Sequence, residues 1–173
     1  HESLAYVYWY LWGDQMDASI AKMKTHEAAL KALAINPNLK LAKYFSTSGT
    51  DEFEASLRQI EMLEQIIQEN PSHILAIEIL MWELLYSGYF REGLELAEYY
   101  IELEPLLPAA HEQLFHALRA SGHKDEALVS LKLADQLGSV FSKGILGFVY
   151  LGEKQYELSK TYFEAHYQKI GLP

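Results

Sequence analysis

His111-Glu112-Gln113-Leu114-Phe115-His116 places two imidazoles and a carboxylate within six residues. Two histidines four apart on a helix share a face and can ligate zinc, with a neighbouring glutamate as general base. Here they are five apart, which turns them about 140° out of line on a helix. No metal site is expected from this spacing. His123 falls in a predicted turn, and His26, His73 and His166 stand singly on predicted helices, where a surface or part-buried role is the simplest reading. The acidic pairs Glu52/Glu54, Glu102/Glu104 and Asp125/Glu126 lie at helix starts or ends, and the first and third suit the helix dipole. No Gly-rich phosphate loop, Ser–His–Asp arrangement or paired buried carboxylates can be argued from the string. Thiol chemistry and Cys-based zinc sites are excluded because the chain has no cysteine. No catalytic residue, metal or cofactor is assigned, and the expectation is a protein that is not an enzyme.

The elements that would position these residues declare themselves by period. Pro37, Pro71 and Pro105 are each 34 apart and close similar phrases, Ala-Leu-Ala-Ile-Asn-Pro, Ile-Ile-Gln-Glu-Asn-Pro and Ile-Glu-Leu-Glu-Pro. Gly88 and Gly122, Leu94 and Leu128, and Leu103 and Leu137 keep the same interval. A fixed period of this length points to repeated supersecondary units. Thirty-four residues hold two helices of roughly 12–14 residues and two short turns. Phe53, Leu57, Ile60, Leu63 and Ile67 recur at three and four, one face of a helix that Asp51 can cap. No stretch alternates as a strand does. The fold class is all-α.

Composition agrees with a folded chain and narrows its partners. Of 173 residues, half are apolar and 22% charged, with a formal charge of −10 and no two adjacent Lys or Arg. Phosphate neutralisation needs clustered basic groups, so direct nucleic-acid binding is not expected. The longest apolar run, Leu4 to Trp12, has nine residues, against about 20 for a bilayer span, so membrane insertion is not expected. The chain lacks the start of a signal peptide. The expected location is cytoplasmic, with a periplasmic one compatible with the absence of cysteine. Because it begins with His rather than Met, it reads as a fragment of something longer or a trimmed chain.

The residues resemble the tetratricopeptide repeat (TPR), whose pattern W-x2-L-G-x2-Y is followed by a small residue, x3, a large apolar residue, and later Pro. Leu146-Gly147-Phe148-Val149-Tyr150, with Ser159 in the small slot and Phe163 in the large one, carries it best. Trp9-Leu11-Trp12-Gly13 heads the first unit, 24 residues before Pro37. Gly88-Tyr89-Phe90-Arg91-Glu92-Gly93-Leu94 and Gly122-His123-Lys124-Asp125-Glu126-Ala127-Leu128 carry the second half. Thr25 and Gln59 depart from the small slot, and the phase slips by two residues between the fourth and fifth units. Ser46 to Thr50 cuts one helix short. The resemblance implies a right-handed α-solenoid of about five helix-turn-helix units, approximately 6–38, 39–72, 73–106, 107–139 and 140–173, forming a single repeat domain with the second unit irregular. The aromatic run Tyr6 to Trp12 then reads mostly as repeat core, with an exposed end meeting another domain or subunit as the second reading.

In such an array the first helix of each unit lines a concave groove. Tyr10 and Asp14, with Val7 and Asp17, Tyr44, Glu78 and Trp82, with Leu85, and Glu112, His116 and Arg119 take those positions. Glu78/Glu112 and Trp82/His116 are each 34 apart and are expected as rungs. TPR proteins that grip a C-terminal carboxylate use a Lys/Arg/Asn cluster, and here Arg119 stands alone for it. The expected function is a protein-interaction scaffold whose acidic, aromatic groove takes a peptide or partner helix with apolar anchors and some positive charge. The alternative is a regulatory or sensory module of a larger bacterial transcriptional regulator or adenylate cyclase, whose TPR regions look similar. That module would sense a small-molecule effector. Self-association through Tyr6 to Trp12 is a further expectation.

Overall fold

A computed structural model describes residues 2–10, 17–47 and 53–171, with the side chains of 2, 9, 10 and 53–56 left aside. The described residues form ten helices and no strand: α1 (Glu2–Tyr10), α2 (Ala18–Ile35), α3 (Lys40–Thr47), α4 (Phe53–Glu69), α5 (Ile74–Tyr86), α6 (Phe90–Leu103), α7 (Pro108–Ala120), α8 (Lys124–Gln136), α9 (Ser142–Gly152) and α10 (Tyr156–Lys169). The chain divides into two compact units, His1–Glu83 and Leu84–Pro173.

The 34-residue period is written into the helix starts. The helices α3, α5, α7 and α9 begin at Lys40, Ile74, Pro108 and Ser142, each 34 after the last. The two-residue slip falls inside α9 rather than between units. This helix has 11 residues where α5 and α7 have 13, so α10 begins 32 after α8. In the second repeat α3 is described over eight residues, up to Thr47, where the described residues stop.

Local chemistry sets the ends. Pro37, Pro71 and Pro105 sit in the turns that follow α2, α4 and α6, where a missing N–H and a fixed φ stop a helix. Asp17 caps α2, accepting from the amides of Ser19 (2.9 Å) and Ile20 (3.3 Å). The Ser19 hydroxyl, then these amides, hold its carboxyl below the usual range. His73 is not within a helix but in front of one, its Nδ1 accepting from the Ala76 amide at 3.2 Å. After α7, Gly122 takes φ +88° while its amide and that of His123 bond back to Arg119 and Leu118, a Schellman turn in which a β-carbon is unfavourable. Lys154 accepts the same role after α9 at φ 61°.

In the first unit α1 packs on α2 and α3, α2 on α3, and α3 on α4. Ala21, Ala28, Ala29 and Ala32 form the buried side of α2, and their small size allows neighbouring helices to approach. Tyr44, Phe45, Leu63, Ile77, Ile79 and Met81 complete this core. In the second unit α6 packs on α7, α7 on α8, α8 on α9 and α9 on α10. Its core joins Phe115, Leu118, Ala127 and Leu131 to Leu146, Val149 and Tyr150. Each fully buried Leu here is worth about 2–5 kcal/mol against truncation to Ala.

The small slot is occupied in every repeat by a buried residue: Thr25, Gln59, Gly93, Ala127 and Ser159. The departures from a small apolar residue are handled by hydrogen bonding in two cases. The Gln59 amide donates to the Thr47 carbonyl at 3.0 Å, and the Ser159 hydroxyl donates to the Gly147 carbonyl at 2.8 Å. The Thr25 hydroxyl has no such partner.

Candidate functional site

The helix α7 presents Glu112, His116 and Arg119 at spacings of four and three, one side of a helix. Pro108 starts it, in the position where a missing N–H costs nothing. Ala110, Phe115, Ala117 and Leu118 are buried on it and hold it to the second unit. Arg119 lies in the last turn, where a cation complements the helix dipole. Its guanidinium also stands over the Phe115 ring, 5.9 Å from the centroid.

Glu112 is tied to residues far along the chain. The Ser139 hydroxyl donates to its Oε1 and accepts from the amides of Phe141 (3.0 Å) and Ser142 (2.9 Å). The hydroxyl proton is thereby committed to Glu112 and the lone pairs to two amides, so Ser139 acts as a cap for α9 and not as an activated nucleophile. Lys169 Nζ donates to the Ser139 carbonyl at 2.5 Å and the Gly138 carbonyl at 3.3 Å. The Nδ1 of His166 lies 3.1 Å from the Val140 carbonyl. The turn between α8 and α9 is therefore held from α7 on one side and from α10 on the other. Burial pushes the Glu112 carboxyl above its ordinary pKa, with the Ser139 hydroxyl and the Lys169 charge opposing it.

His116 is half-buried and meets the Phe115 ring edge to face at 4.9 Å. Burial, then the neighbouring Arg119 charge, lowers its pKa from 6.5 to about 4. It is a neutral imidazole at neutral pH. His111 is separate from it: its Nε2 lies 2.8 Å from the Pro105 carbonyl, and its own carbonyl accepts from the Ser130 hydroxyl at 2.9 Å. The two histidines thus have different neighbours, as their five-residue spacing requires.

In the first unit the expected groove residues are placed differently. Tyr44 is 0% exposed and donates to Glu83 Oε1 at 2.5 Å. Glu78 is 8% exposed and accepts from the Tyr6 hydroxyl at 3.4 Å. Tyr44 and Glu78, expected along the groove, are thus buried within their unit. One hydrogen bond from α1 and one from α3 reach α5 here, and the repeat period alone does not contain them. Trp82 is half-buried. Asp14 and the side chain of Tyr10 lie outside the described residues, as do the Trp9 side chain and Gly13. Of the other N-terminal rings, Tyr6 and Tyr8 are half-buried, and Lys24 Nζ stands 5.2 Å from the Tyr8 centroid. Ser139, Lys169 and Glu83 were not foreseen. Their long-range partners lie 27, 30 and 39 residues away, and no motif spans such a distance.

No protein-family model matches the chain, and no curated protein matches it. Solved structures do. TTC0263, a thermophilic TPR protein of Thermus thermophilus, aligns over 98% of this chain and 91% of its own with a TM-score of 0.74 at 16% identity. MamA aligns over 90% of this chain and 96% of its own, with a TM-score of 0.59 at 16% identity. MamA 41-end from Desulfovibrio magneticus RS-1 aligns over 95% and 94%, with a TM-score of 0.60 at 13% identity. The 34-residue spacing of helix starts, the buried small slot and these alignments agree: the chain has the fold of a tetratricopeptide-repeat protein.

Proposed function

We propose that the chain is a protein-interaction scaffold, and that it receives a peptide or partner helix carrying apolar anchors and positive charge. The observation that carries this reading is the Glu112, His116 and Arg119 row on α7, a partly open row on a first helix of the repeat, in a chain of net charge −10. His116 is neutral and pairs with the Phe115 ring, so it offers a flat, weakly polar contact beside one acid and one exposed base. Trp82, half-buried on α5, is the proposed aromatic anchor in the other unit. Two clefts among the described residues of the first unit, one beside Tyr8 and Lys24 and one beside Lys40 and Glu69, hold about 160 and 240 Å³. Small-molecule sites usually enclose roughly 300–1,000 Å³, so neither of these two clefts has the size of an effector pocket.

The test uses two labelled amphipathic 16-residue helices, one of Leu and Lys and one of Leu and Glu, in fluorescence anisotropy titrations. The Leu/Lys probe is expected to bind at least fivefold more tightly, and Trp82→Ala or Glu112→Lys to weaken it. Equal binding of both probes, or no effect of either substitution, would sink the reading.

A further inference from the structure

The α7 row carries a charge of each sign, and neither has a counter-ion among the described residues. The half-buried Glu112 carboxyl accepts from the Ser139 hydroxyl, and no Lys or Arg stands within ion-pair distance of it. Lys169, whose charge reaches it, is committed to the Ser139 and Gly138 carbonyls. Arg119 is exposed, and its guanidinium lies over the face of the Phe115 ring rather than beside a carboxylate. Arg91, Lys143 and Lys160 of the same unit do meet acids, at 3.3 Å (Glu92), 3.6 Å (Asp135) and 3.8 Å (Glu164). A half-buried carboxylate without a base gains more from an arriving cation than an open one does, because water screens the pair less.

The spacing of the two charges is a helical one. Glu112 and Arg119 are seven apart on α7, which sets them about 10 Å apart along the axis and within roughly 20° of one line. A second helix laid along this row presents its own residues at the same interval, so one acid and one base seven apart can meet both charges together. Between them stands His116, a flat ring against Phe115 that suits an apolar contact.

We propose that the partner of this row is a helix lying antiparallel to α7, with an acidic residue at Arg119, a basic residue seven positions later at Glu112, and an apolar residue between them on His116. This orientation rests on the reading of α7 as a partner-binding row and adds a charge order to it. The antiparallel direction follows from the partner's own electrostatics. It places the acid toward the partner's N-terminus and the base toward its C-terminus, where the helix dipole stabilises each. A parallel helix would need the base first and the acid last, the order its own dipole disfavours. Helix-in-groove recognition of this kind takes affinity from the apolar anchor and register from the charges.

Two amphipathic Leu/Gln helices of about 16 residues and identical composition test this, one with Glu seven residues before Lys and one with the two exchanged. Each is titrated against the 173-residue chain by fluorescence anisotropy. The acid-first helix is expected to bind about fivefold or more tightly, since the exchange turns two attractions into two repulsions, and added salt should shrink the ratio. Arg119→Glu, at an exposed position, should abolish the preference, whereas a difference in helicity between the peptides would persist. The same variant should bind the Leu/Lys helix more tightly than the wild type does. Glu112→Gln keeps an acceptor for Ser139 and should weaken the acid-first helix by about threefold. Equal binding of the two orders, a base-first preference, or a preference that survives Arg119→Glu overturns the orientation and leaves the scaffold reading intact. Failure of every helix, the Leu/Lys one included, removes the scaffold reading and the orientation with it.

Discussion

The Phe163 ring lies so close to Gly147 that a β-carbon built on the glycine would sit 2.8 Å from two of its atoms. The glycine is required by this approach and not by its backbone, which is helical. It lets α10 settle onto α9 closely enough for the Ser159 hydroxyl to reach the Gly147 carbonyl at 2.8 Å. Gly147→Ala should therefore destabilise the protein by about 1–3 kcal/mol through overpacking. Gly152, at the end of the same helix, has nothing within 4 Å of its would-be β-carbon. Gly152→Ala should move stability the other way by about 0.5–1 kcal/mol. Urea unfolding of both variants checks the opposite signs.

Thr25 fills the small slot of the first repeat at 3% exposure, with a hydroxyl that has no hydrogen-bond partner. A buried hydroxyl without a partner is a net cost, and a methyl of the same size removes it. Thr25→Val should raise stability by about 1 kcal/mol. The equivalent change one repeat later, Gln59→Leu, should lower it by about 1 kcal/mol, because it removes the hydrogen bond from Gln59 to the Thr47 carbonyl. Chemical denaturation at neutral pH measures both. A loss of stability in Thr25→Val would mean that the slot does not tolerate a methyl in place of the hydroxyl.

The repeat was legible in the sequence because its causes are local. Prolines in the turns, glycine at the left-handed position before α8 and apolar residues at three and four each act within a few residues of their own helix. Gly93, Ala127 and Ser159 could be read for the same reason, since each repeat supplies the same buried slot. The groove was harder. Tyr44 and Glu78 fall on first helices as the period requires, yet Glu83 and Tyr6 turn them inward, and those partners lie 39 and 72 residues away. Long-range packing of this kind has no signature in a 34-residue phrase. The clamp of Glu112, Ser139 and Lys169 escaped notice for the same reason.

His116 should make the protein sensitive to mild acid. Its pKa of about 4 in the fold is below the ordinary 6.5, so the unfolded chain takes up the proton first as pH falls. The stability held by the neutral ring is fully present above pH 6.5 and is lost as pH drops toward about 4. The displacement corresponds to at most about 3 kcal/mol, and partial exposure reduces that figure. Glu112 acts in the opposite sense. Its raised folded pKa means that stability declines as pH climbs from the ordinary 4.5 through the folded value. His116→Phe should flatten the acid loss between pH 6.5 and 4, and Glu112→Gln should remove the decline on the other side. Thermal melts across pH 4 to 7.5 separate the two, and a His116→Phe profile parallel to the wild type would refute the assignment.

Tyr44, buried, and Glu83, half-buried, form a couple whose members are unequal. Burial raises the Glu83 carboxyl above its ordinary pKa, and the Tyr44 hydroxyl pulls it back by donating to the ionised form. Removing the donor leaves a half-buried carboxylate with one fewer hydrogen bond. Tyr44→Phe should therefore cost about 1–3 kcal/mol at pH 7 and push the Glu83 pKa further up. Glu83→Gln keeps an acceptor oxygen for Tyr44 and removes the charge, so it should cost less. In the double variant the two losses should fall short of additivity, since the second change removes the charge that the first stranded. Carboxyl carbon shifts followed through a pH titration report the Glu83 displacement, and urea unfolding closes the cycle. Additive losses, or a Glu83 titration unmoved by Tyr44→Phe, would show that the hydroxyl does not govern the carboxylate.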